Sequence, residues 1–134
     1  MGSLGESQLA SLRKHIANLE PYRGQNNEVQ TALIYDMDKV REIEGVLKEL
    51  ERKRKVPLEE VKEVFLDRIY TSQPFLYKDK LEDYADEPIH KLATGYMYQG
   101  DVIVIDGNHR LTLAKLNNQT KVRMKIINLD KPKK

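Results

Sequence analysis

The hydrophobic pattern of the chain changes its period part-way along, and this change constrains the fold more than any other feature of the sequence. Between residues 38 and 54, apolar side chains recur every three or four residues, as in a helix that buries one face. Between residues 122 and 129, apolar and charged side chains mostly alternate, as in a half-buried strand. The sequence therefore predicts an α+β fold, in which helices pack against a small mixed sheet or project from it as an arm.

The first half of the chain carries three helical patterns, which predict that residues 7–70 are mainly helical. Pro21 ends the first pattern, and Pro57 suits the first turn of the third. Four cations at residues 52–55 follow the second pattern, where they complement the negative end of the helix dipole. A nucleic-acid patch is the alternative interpretation of these cations. The three helices are predicted over residues 7–20, 38–54 and 57–70, with a weak strand over residues 29–35 between the first two.

The second half is predicted to form strands. Two β-prone runs are joined by Gln99 and Gly100, which indicates a tight hairpin. The second run, residues 102–105, is continuously apolar and is expected to be buried on both faces. Residues 71–88 are predicted to be a connection that holds one short helix. A chain of 134 residues is expected to form a single domain, residues 1–134.

The composition excludes several classes of protein. The chain has no cysteine, which excludes disulfide scaffolds, thiolate zinc sites, iron–sulfur clusters and cysteine nucleophiles. Its net charge of +2 gives no global attraction for nucleic acid, so any phosphate contact is expected to be local. No apolar run approaches the length of a membrane span, and residues 1–10 lack a signal-peptide pattern. These features predict a cytoplasmic protein with no membrane partner.

One segment carries the chemistry: Asp106 to Arg110, with the sequence Asp-Gly-Asn-His-Arg, called the DGNHR segment below. It follows an apolar strand and precedes a helix expected over residues 111–116. Gly107 permits a tight turn, after which the first free N–H groups of the helix point outward beside the positive end of its dipole. Arg110 and His109 add donors there, and a guanidinium matches phosphate oxygens. The segment is therefore predicted to bind phosphate.

Asp106 has several predicted roles at the end of the strand. Its carboxylate can hold Arg110 or His109 in position, orient a hydroxyl, or take a magnesium ion that is shared with phosphates. In the structural alternative, Asp106 caps the helix while His109 and Arg110 point to solvent or pair with carboxylates. Basic residues at the start of a helix are unfavourable for the helix itself, which favours a site, because a bound anion relieves the repulsion.

The DGNHR segment and its flanks also resemble a known family. Residues 102–116, Val-Ile-Val-Ile-Asp-Gly-Asn-His-Arg-Leu-Thr-Leu-Ala-Lys-Leu, and the strand around Val122 resemble the core motif of the ParB/sulfiredoxin superfamily. The resemblance covers residues 88–129, roughly a third of the chain. It implies a sheet of ParB/sulfiredoxin-like type and a nucleotide-phosphate cradle made by Gly107, Asn108, His109 and Arg110.

Members of this superfamily are partition proteins that bind and hydrolyse CTP, sulfiredoxins that use ATP, free-serine kinases, and plasmid or phage proteins described as nucleases. The reactive cysteine of sulfiredoxins corresponds to Asn108, which excludes sulfinic-acid repair. Partition proteins carry a glutamate-arginine pair where this chain has Asn108 and His109, and a helix-turn-helix module follows in them. The few residues after residue 129 argue against recognition of centromere-type DNA.

The resemblance implies a domain that acts on nucleotides or nucleic acid by phosphoryl chemistry, as a nuclease or an NTPase. Asp106, His109 and Arg110 are the expected catalytic residues. A nucleoside triphosphate and Mg²⁺ are the expected cofactors, with Asp106 as the metal ligand. One alternative is a non-catalytic module of phage or plasmid type that binds nucleotide, DNA or a protein partner, with the helices at 7–20 and 38–54 as its partner surface. The other is a small-molecule kinase of the free-serine-kinase type.

Two further groups of side chains have functional and structural interpretations. His90 can reach the same cleft as the DGNHR segment, but an exposed histidine beside a lysine is more often a surface residue. Several tyrosines in the second half offer surfaces on which bases stack, although tyrosines at this density more often pack in the core. They are Tyr70, Tyr77, Tyr84, Tyr96 and Tyr98.

Overall fold

The computed structural model describes residues 5–133 and shows an α+β fold. The helices are α1 (Glu6–Ala17), α2 (Met37–Arg52), α3 (Lys78–Asp86) and α4 (Asn108–Leu116). The strands are β1 (Glu28–Gln30), β2 (Ile34–Tyr35), β3 (Pro57–Phe65), β4 (Ile69–Thr71), β5 (Phe75–Tyr77), β6 (Ala93–Tyr98), β7 (Asp101–Asp106) and β8 (Lys121–Pro132). A single 3₁₀ turn, Leu66–Arg68, joins β3 to β4.

A six-stranded mixed sheet in the order β2-β4-β7-β6-β8-β3 forms the centre of the fold. Strands β2, β4 and β7 run parallel, β6 is antiparallel to β7, and β6 and β8 are parallel. Strand β3 pairs antiparallel with β8, while β1 and β5 form a separate two-stranded ladder. The carboxyl ends of β2, β4 and β7 therefore lie at the same edge of the sheet.

The helices cover both faces of the sheet, as consecutive residues of β7 show. Side chains alternate between the two faces of a strand. Ile103 packs against Val40 and Ile43 of α2, while its neighbour Val102 lies in a cluster with Leu111 of α4. Helices α1 and α3 pack beside α4 through Leu12, Ile16, Leu81, Ala85 and Leu113. The helices are thus packed against the sheet and do not project as an arm.

The prediction of a helix over residues 57–70 is wrong, and the mainly helical region ends at α2. Residues 57–65 form the edge strand β3, which pairs with β8 along its whole length. In a strand, Val64 faces the opposite way from Val61 and Phe65, so only Val64 is buried while Val61 and Phe65 are 48% and 56% exposed. The apolar residues of this segment have helical spacing, but pairing with β8, which lies far along the sequence, makes the segment a strand.

Most of the other local predictions are confirmed. The hairpin of β6 and β7 turns at Gln99 and Gly100, which both have positive φ angles (51° and 84°), the requirement of a tight primed turn. The short helix within residues 71–88 is α3, and the weak strand over residues 29–35 corresponds to β1 and β2. The predicted full burial of residues 102–105 is wrong, because Ile105, which lies at an irregularity in the β6–β7 ladder, is 46% exposed.

The apolar faces of α1 and α2 are occupied within the chain. Leu12 and Ile16 of α1, and Val40 and Ile43 of α2, are all buried. A protein partner that binds these two helices would therefore meet their polar faces, and the expected partner surface stays a prediction. No helix within residues 5–133 combines the length and apolar character needed to cross a membrane.

Candidate functional site

The DGNHR segment forms a sharp turn between β7 and α4, and Gly107 is the residue that makes the turn. Gly107 has a φ of 110° and a ψ of 22°, in the left-handed region, and immediately precedes the helix. A Cβ on this residue would lie 2.6 Å from the Cβ of Ala93, closer than carbon atoms pack. The carbonyl of Gly107 accepts the first helical hydrogen bond, from the N–H of Leu111 at 2.9 Å. Only glycine fits this turn, so α4 begins directly at the end of the strand.

The turn leaves the first N–H groups of α4 without partners inside the helix. Asn108, His109 and Arg110 form its first turn, where no preceding helical carbonyl is available to accept from them. These N–H groups carry the partial positive charge of the helix dipole. They lie at the carboxyl end of β7, beside the end of its parallel neighbour β4. A main-chain arrangement of this kind is typical of anion sites at the start of a helix.

Asn108 ties the start of α4 to the end of β4. Its side-chain oxygen accepts a hydrogen bond at 2.7 Å from the hydroxyl of Thr71, which is fully buried. The same hydroxyl oxygen accepts from the N–H of Gln73 at 3.0 Å. The side chain of Asn108 is therefore committed to positioning the helix. The sequence gives no sign that Thr71 is a site residue, because it is one of five threonines and simply follows a short apolar run.

His109 lies in an aromatic cluster, away from Asp106. Its Nε2 accepts a hydrogen bond from the N–H of Tyr77 at 3.1 Å. The ring of Tyr77 lies nearly parallel to the imidazole with centroids 6.2 Å apart, and the ring of Tyr84 meets it edge-on at 6.1 Å. Burial lowers the pKa of His109, and nearby Lys80 lowers it further, against an opposing effect of Asp79. A neutral imidazole that accepts at Nε2 carries its proton on Nδ1.

The depressed pKa of His109 makes a prediction about pH. The unfolded histidine binds protons more readily than the folded one. The contribution of neutral His109 to the free energy of unfolding is therefore complete above the unfolded pKa of about 6.5. It is then lost as the pH falls from there through the folded pKa. In His109→Gln, whose amide oxygen can still accept from Tyr77, we expect a smaller loss of unfolding free energy between pH 7.5 and 5.5, measured by urea denaturation. An unchanged pH dependence would show that His109 does not titrate differently in the folded protein.

Arg110 and Asp106 contact each other, as one of the predicted roles of Asp106 requires. Arg110 Nη2 lies 3.2 Å from Asp106 Oδ2, and Arg110 Nη1 donates to the carbonyl of Lys91 in the loop before β6. Lys91 Nζ lies 3.7 Å from the same carboxylate oxygen. The side chain of Arg110 is only 17% exposed, whereas that of Asp106 is 56% exposed. Asp106 therefore holds a mostly buried guanidinium beside the first turn of α4, and its partner is Arg110 and not His109.

The surroundings of Asp106 do not fit a magnesium ion held by the protein. A protein-held magnesium site needs several oxygen ligands, and Asp106 already faces the cations of Arg110 and Lys91. Within residues 5–133, no group of three or more acidic, histidine or cysteine side chains is arranged to hold a metal ion. Of the other two histidines of the chain, His15 is on α1, and His90 is in the loop before β6, where it lines the same cleft as Arg110. The carboxylate of Asp106 is therefore placed to pair with Arg110 and Lys91 and not to hold a metal ion.

The side chains of the DGNHR segment diverge from the turn that carries them. Asn108 contacts β4, His109 contacts β5, and Arg110 contacts Asp106 and the loop before β6. Of the three expected catalytic residues, Asp106 and Arg110 are thus brought together, while His109 hydrogen-bonds elsewhere. What converges at the start of α4 is a set of main-chain N–H groups with one guanidinium beside it.

Comparison with known proteins finds no relative of this chain. No protein-family model, curated protein or solved structure matches the chain. The similarity of residues 88–129 to the ParB/sulfiredoxin superfamily therefore stays a resemblance of the sequence motif.

Two residues outside the DGNHR segment contact its side chains and fix their directions. Tyr77 supplies the N–H that fixes His109, and Lys91 supplies a carbonyl to Arg110 and an ammonium group to Asp106. Neither was singled out as a partner of the segment from the sequence. A tyrosine within a β-prone run and a lysine in a polar loop carry no local signal of such a contact, which depends on how α4 is docked.

Proposed function

We propose that the protein binds the phosphate of a nucleotide or of nucleic acid at the first turn of α4. The observation that carries the proposal is the left-handed turn at Gly107. This turn packs closely against Ala93, and α4 begins immediately after it, at the end of β7. Such a turn aims the free N–H groups of residues 108–110 at the space beyond the strand. Helix N-termini of this kind attract phosphate by their unpaired donors and their dipole.

The position in the sheet supports the same site. Ligands of open α/β sheets bind beyond the carboxyl ends of the strands. Strand β7 has β4 as a parallel neighbour on one side and β6 as an antiparallel neighbour on the other. The bond between Thr71 and Asn108 joins the end of β4 to the start of α4, so this edge is held rigidly.

Arg110 supplies the charge for phosphate recognition. Its guanidinium is already oriented by the carboxylate of Asp106 and the carbonyl of Lys91. A phosphate oxygen can replace the carboxylate oxygen, which lies 3.2 Å away, with little movement of the side chain. The ammonium group of Lys91, whose side chain is 73% exposed, adds a second positive charge near the same carboxylate.

The arrangement of elements supports a fold of the ParB/sulfiredoxin type within this proposal. The resemblance implies a strand, a glycine turn, a helix and a further strand in one mixed sheet. Strand β7, the turn at Gly107, helix α4 and strand β8 follow one another in this order, and β7 and β8 both belong to the six-stranded sheet. The nucleotide is the ligand that this resemblance favours among phosphate compounds.

Binding fits the side chains better than phosphoryl transfer of the nuclease, NTPase or kinase kind. A general base needs a free lone pair near its target. The Nε2 lone pair of His109 accepts from Tyr77, and the carboxylate of Asp106 faces two cations. We therefore propose binding as the function and treat turnover as an outcome to be measured, by phosphate release from nucleotides and by nicking of plasmid DNA in the wild type and in Asp106→Asn.

The binding proposal is tested by thermal denaturation with ATP, CTP, GTP, pyrophosphate or inorganic phosphate, each with and without Mg²⁺. A ligand that binds only the folded state, at a hundred times its Kd, stabilises the protein by about 2.7 kcal/mol. We expect at least one nucleotide to raise the Tm of the wild type, and Arg110→Ala to lose this increase. Arg41→Ala is the matched control, because Arg41 is an exposed arginine of α2 whose ion pair is at 3.9 Å.

Two outcomes would contradict the proposal. One is the absence of stabilisation by every nucleotide and phosphate compound in the wild type. The other is an equal ligand-induced Tm increase in the wild type and in Arg110→Ala. Because the comparison uses the increase caused by ligand, a lower Tm of unliganded Arg110→Ala does not affect it.

A further inference from the structure

A cleft of about 450 Å³ opens beside α4 and reaches the first turn of that helix at Arg110. It is bounded by α3, α4, the loop at residues 88–92 and the first residues of β8. Of the DGNHR segment, only Arg110 lines this cleft. The volume lies within the range of about 300–1,000 Å³ that small-molecule sites occupy. The cleft is therefore large enough for a compound of its own.

The walls of the cleft are mainly apolar. Ala85 of α3, Leu113 and Ala114 of α4 and Val122 of β8 all line it. Two further apolar side chains of the loop lie at the same cleft and are unusually exposed: Ile89 is 43% exposed and Leu92 is 36% exposed. Covering them with the apolar part of a ligand removes hydrophobic surface from water, which is favourable.

The charged residues that line the cleft are almost all positive. They comprise the four cations Lys91, Arg110, Lys121 and Arg123, and the single acid Glu63. Lys91 and Arg110 share one carboxylate, that of Asp106, so it offsets only part of their charge. Glu63 stands directly opposite Arg123 in the β3–β8 ladder. A net positive field therefore remains inside a partly apolar concavity, where electrostatic attraction is stronger than on an open surface.

We propose that this cleft binds a small organic anion with an apolar body, such as an aromatic or acyl carboxylate. The anionic group contacts Arg123 and Lys91, and the apolar body lies over Leu92 and Ala114. The proposal rests on the apolar walls, the volume and the charge of the cleft, and does not depend on phosphate binding at α4. In this proposal, the exposed loop before β6 forms the apolar side of the binding site.

The test uses 2-naphthoate, with the neutral 2-naphthamide as its matched probe, and follows backbone amide chemical shifts of the ¹⁵N-labelled protein. We expect 2-naphthoate to shift the amides of Leu92, Ala114 and Val122, and 2-naphthamide to bind more weakly. In Arg123→Gln, the Kd for 2-naphthoate is expected to rise about two- to fivefold, as for loss of one exposed charge contact. Lys125→Gln is the control, because Lys125 is the next cation of β8 and does not line the cleft.

A second variant separates the apolar loop from the charges. Leu92→Glu adds a negative charge at a partly exposed position, so the fold is expected to tolerate it, and binding of 2-naphthoate is expected to fall about tenfold or more. Inorganic phosphate alone should shift the amides of Asn108 and His109, which do not line the cleft, and not those of Ala114 and Val122, which do. If phosphate shifts nothing while 2-naphthoate binds as expected, the function proposed for α4 fails and the cleft proposal stands.

Three results with the wild-type protein would overturn the cleft proposal. They are equal affinities for 2-naphthoate and 2-naphthamide, chemical-shift changes that map outside the cleft, and the absence of any change up to the solubility limit of 2-naphthoate. An equal effect of Arg123→Gln and Lys125→Gln would also overturn it, because the attraction would then be a property of the whole strand.

Discussion

Gly107→Ala is expected to lower the free energy of unfolding by about 2–4 kcal/mol and to abolish anion binding at α4. Two effects add: an alanine is strained at a φ of 110°, and its Cβ would lie 2.6 Å from the Cβ of Ala93 and 3.1 Å from its Cα. Ala93 is buried at the start of β6 and has no room to move away. Urea denaturation measures the first effect, and phosphate titration measures the second.

Gly24→Ala is the matched control for this prediction. Gly24 also has a positive φ, of 69°, but no atom lies within 4 Å of the position that its Cβ would take. It should show the backbone strain alone, about 1 kcal/mol. If the two variants were equally stable, the close packing of the Gly107 turn against Ala93 would be contradicted, and with it the argument that α4 must begin directly at the end of β7.

Ile43→Ala is expected to cost about 3–4 kcal/mol, within the range for truncation of fully buried aliphatic side chains. Ile43 is 0% exposed and lies with Val40, Ile103 and Leu129 where α2 crosses the sheet. The substitution removes three methyl or methylene carbons and leaves a cavity between the helix and the sheet. The free energy of unfolding from urea denaturation is the measurement.

Leu47→Ala on the same helix provides the comparison for Ile43. Leu47 is only partly buried at the edge of the same cluster, so its truncation is expected to cost about half as much. Equal small effects at both positions would mean that α2 is held only loosely, as the projecting-arm alternative from the sequence would require.

Elements whose signals are local were predictable from the sequence. Helix α2 has an amphipathic repeat and an N-cap, in which the side chain of Asp36 accepts from the N–H of Lys39 at 3.0 Å. The turn at Gln99 and Gly100 has its own residue preference. Strand β3 was not predictable in this way, because it is stabilised by β8 at the far end of the chain, and its apolar spacing matches a helix equally well.

The candidate site was likewise predictable from the sequence only where its signals are local. The turn at Gly107 and the position of α4 follow from five adjacent residues, so the sequence predicted both. The directions of Asn108, His109 and Arg110 depend on partners from elsewhere in the chain. These partners, Thr71, Tyr77 and Lys91, lie in three separate segments whose arrangement is set only when the sheet and the helices assemble.

The position of β8 between β6 and β3 has a consequence for the order in which the protein folds. During synthesis, β3 leaves the ribosome long before β8 exists, and β8 is the only strand with which β3 pairs in the sheet of residues 5–133. Until then β3 has two open edges and exposes Val64, which is buried in the folded protein, a combination that invites pairing with another nascent chain. Insertion of β8 is therefore the late step that pairs one edge of β3 and buries Val64, and its rate is expected to govern how much chain is lost to aggregation at high expression.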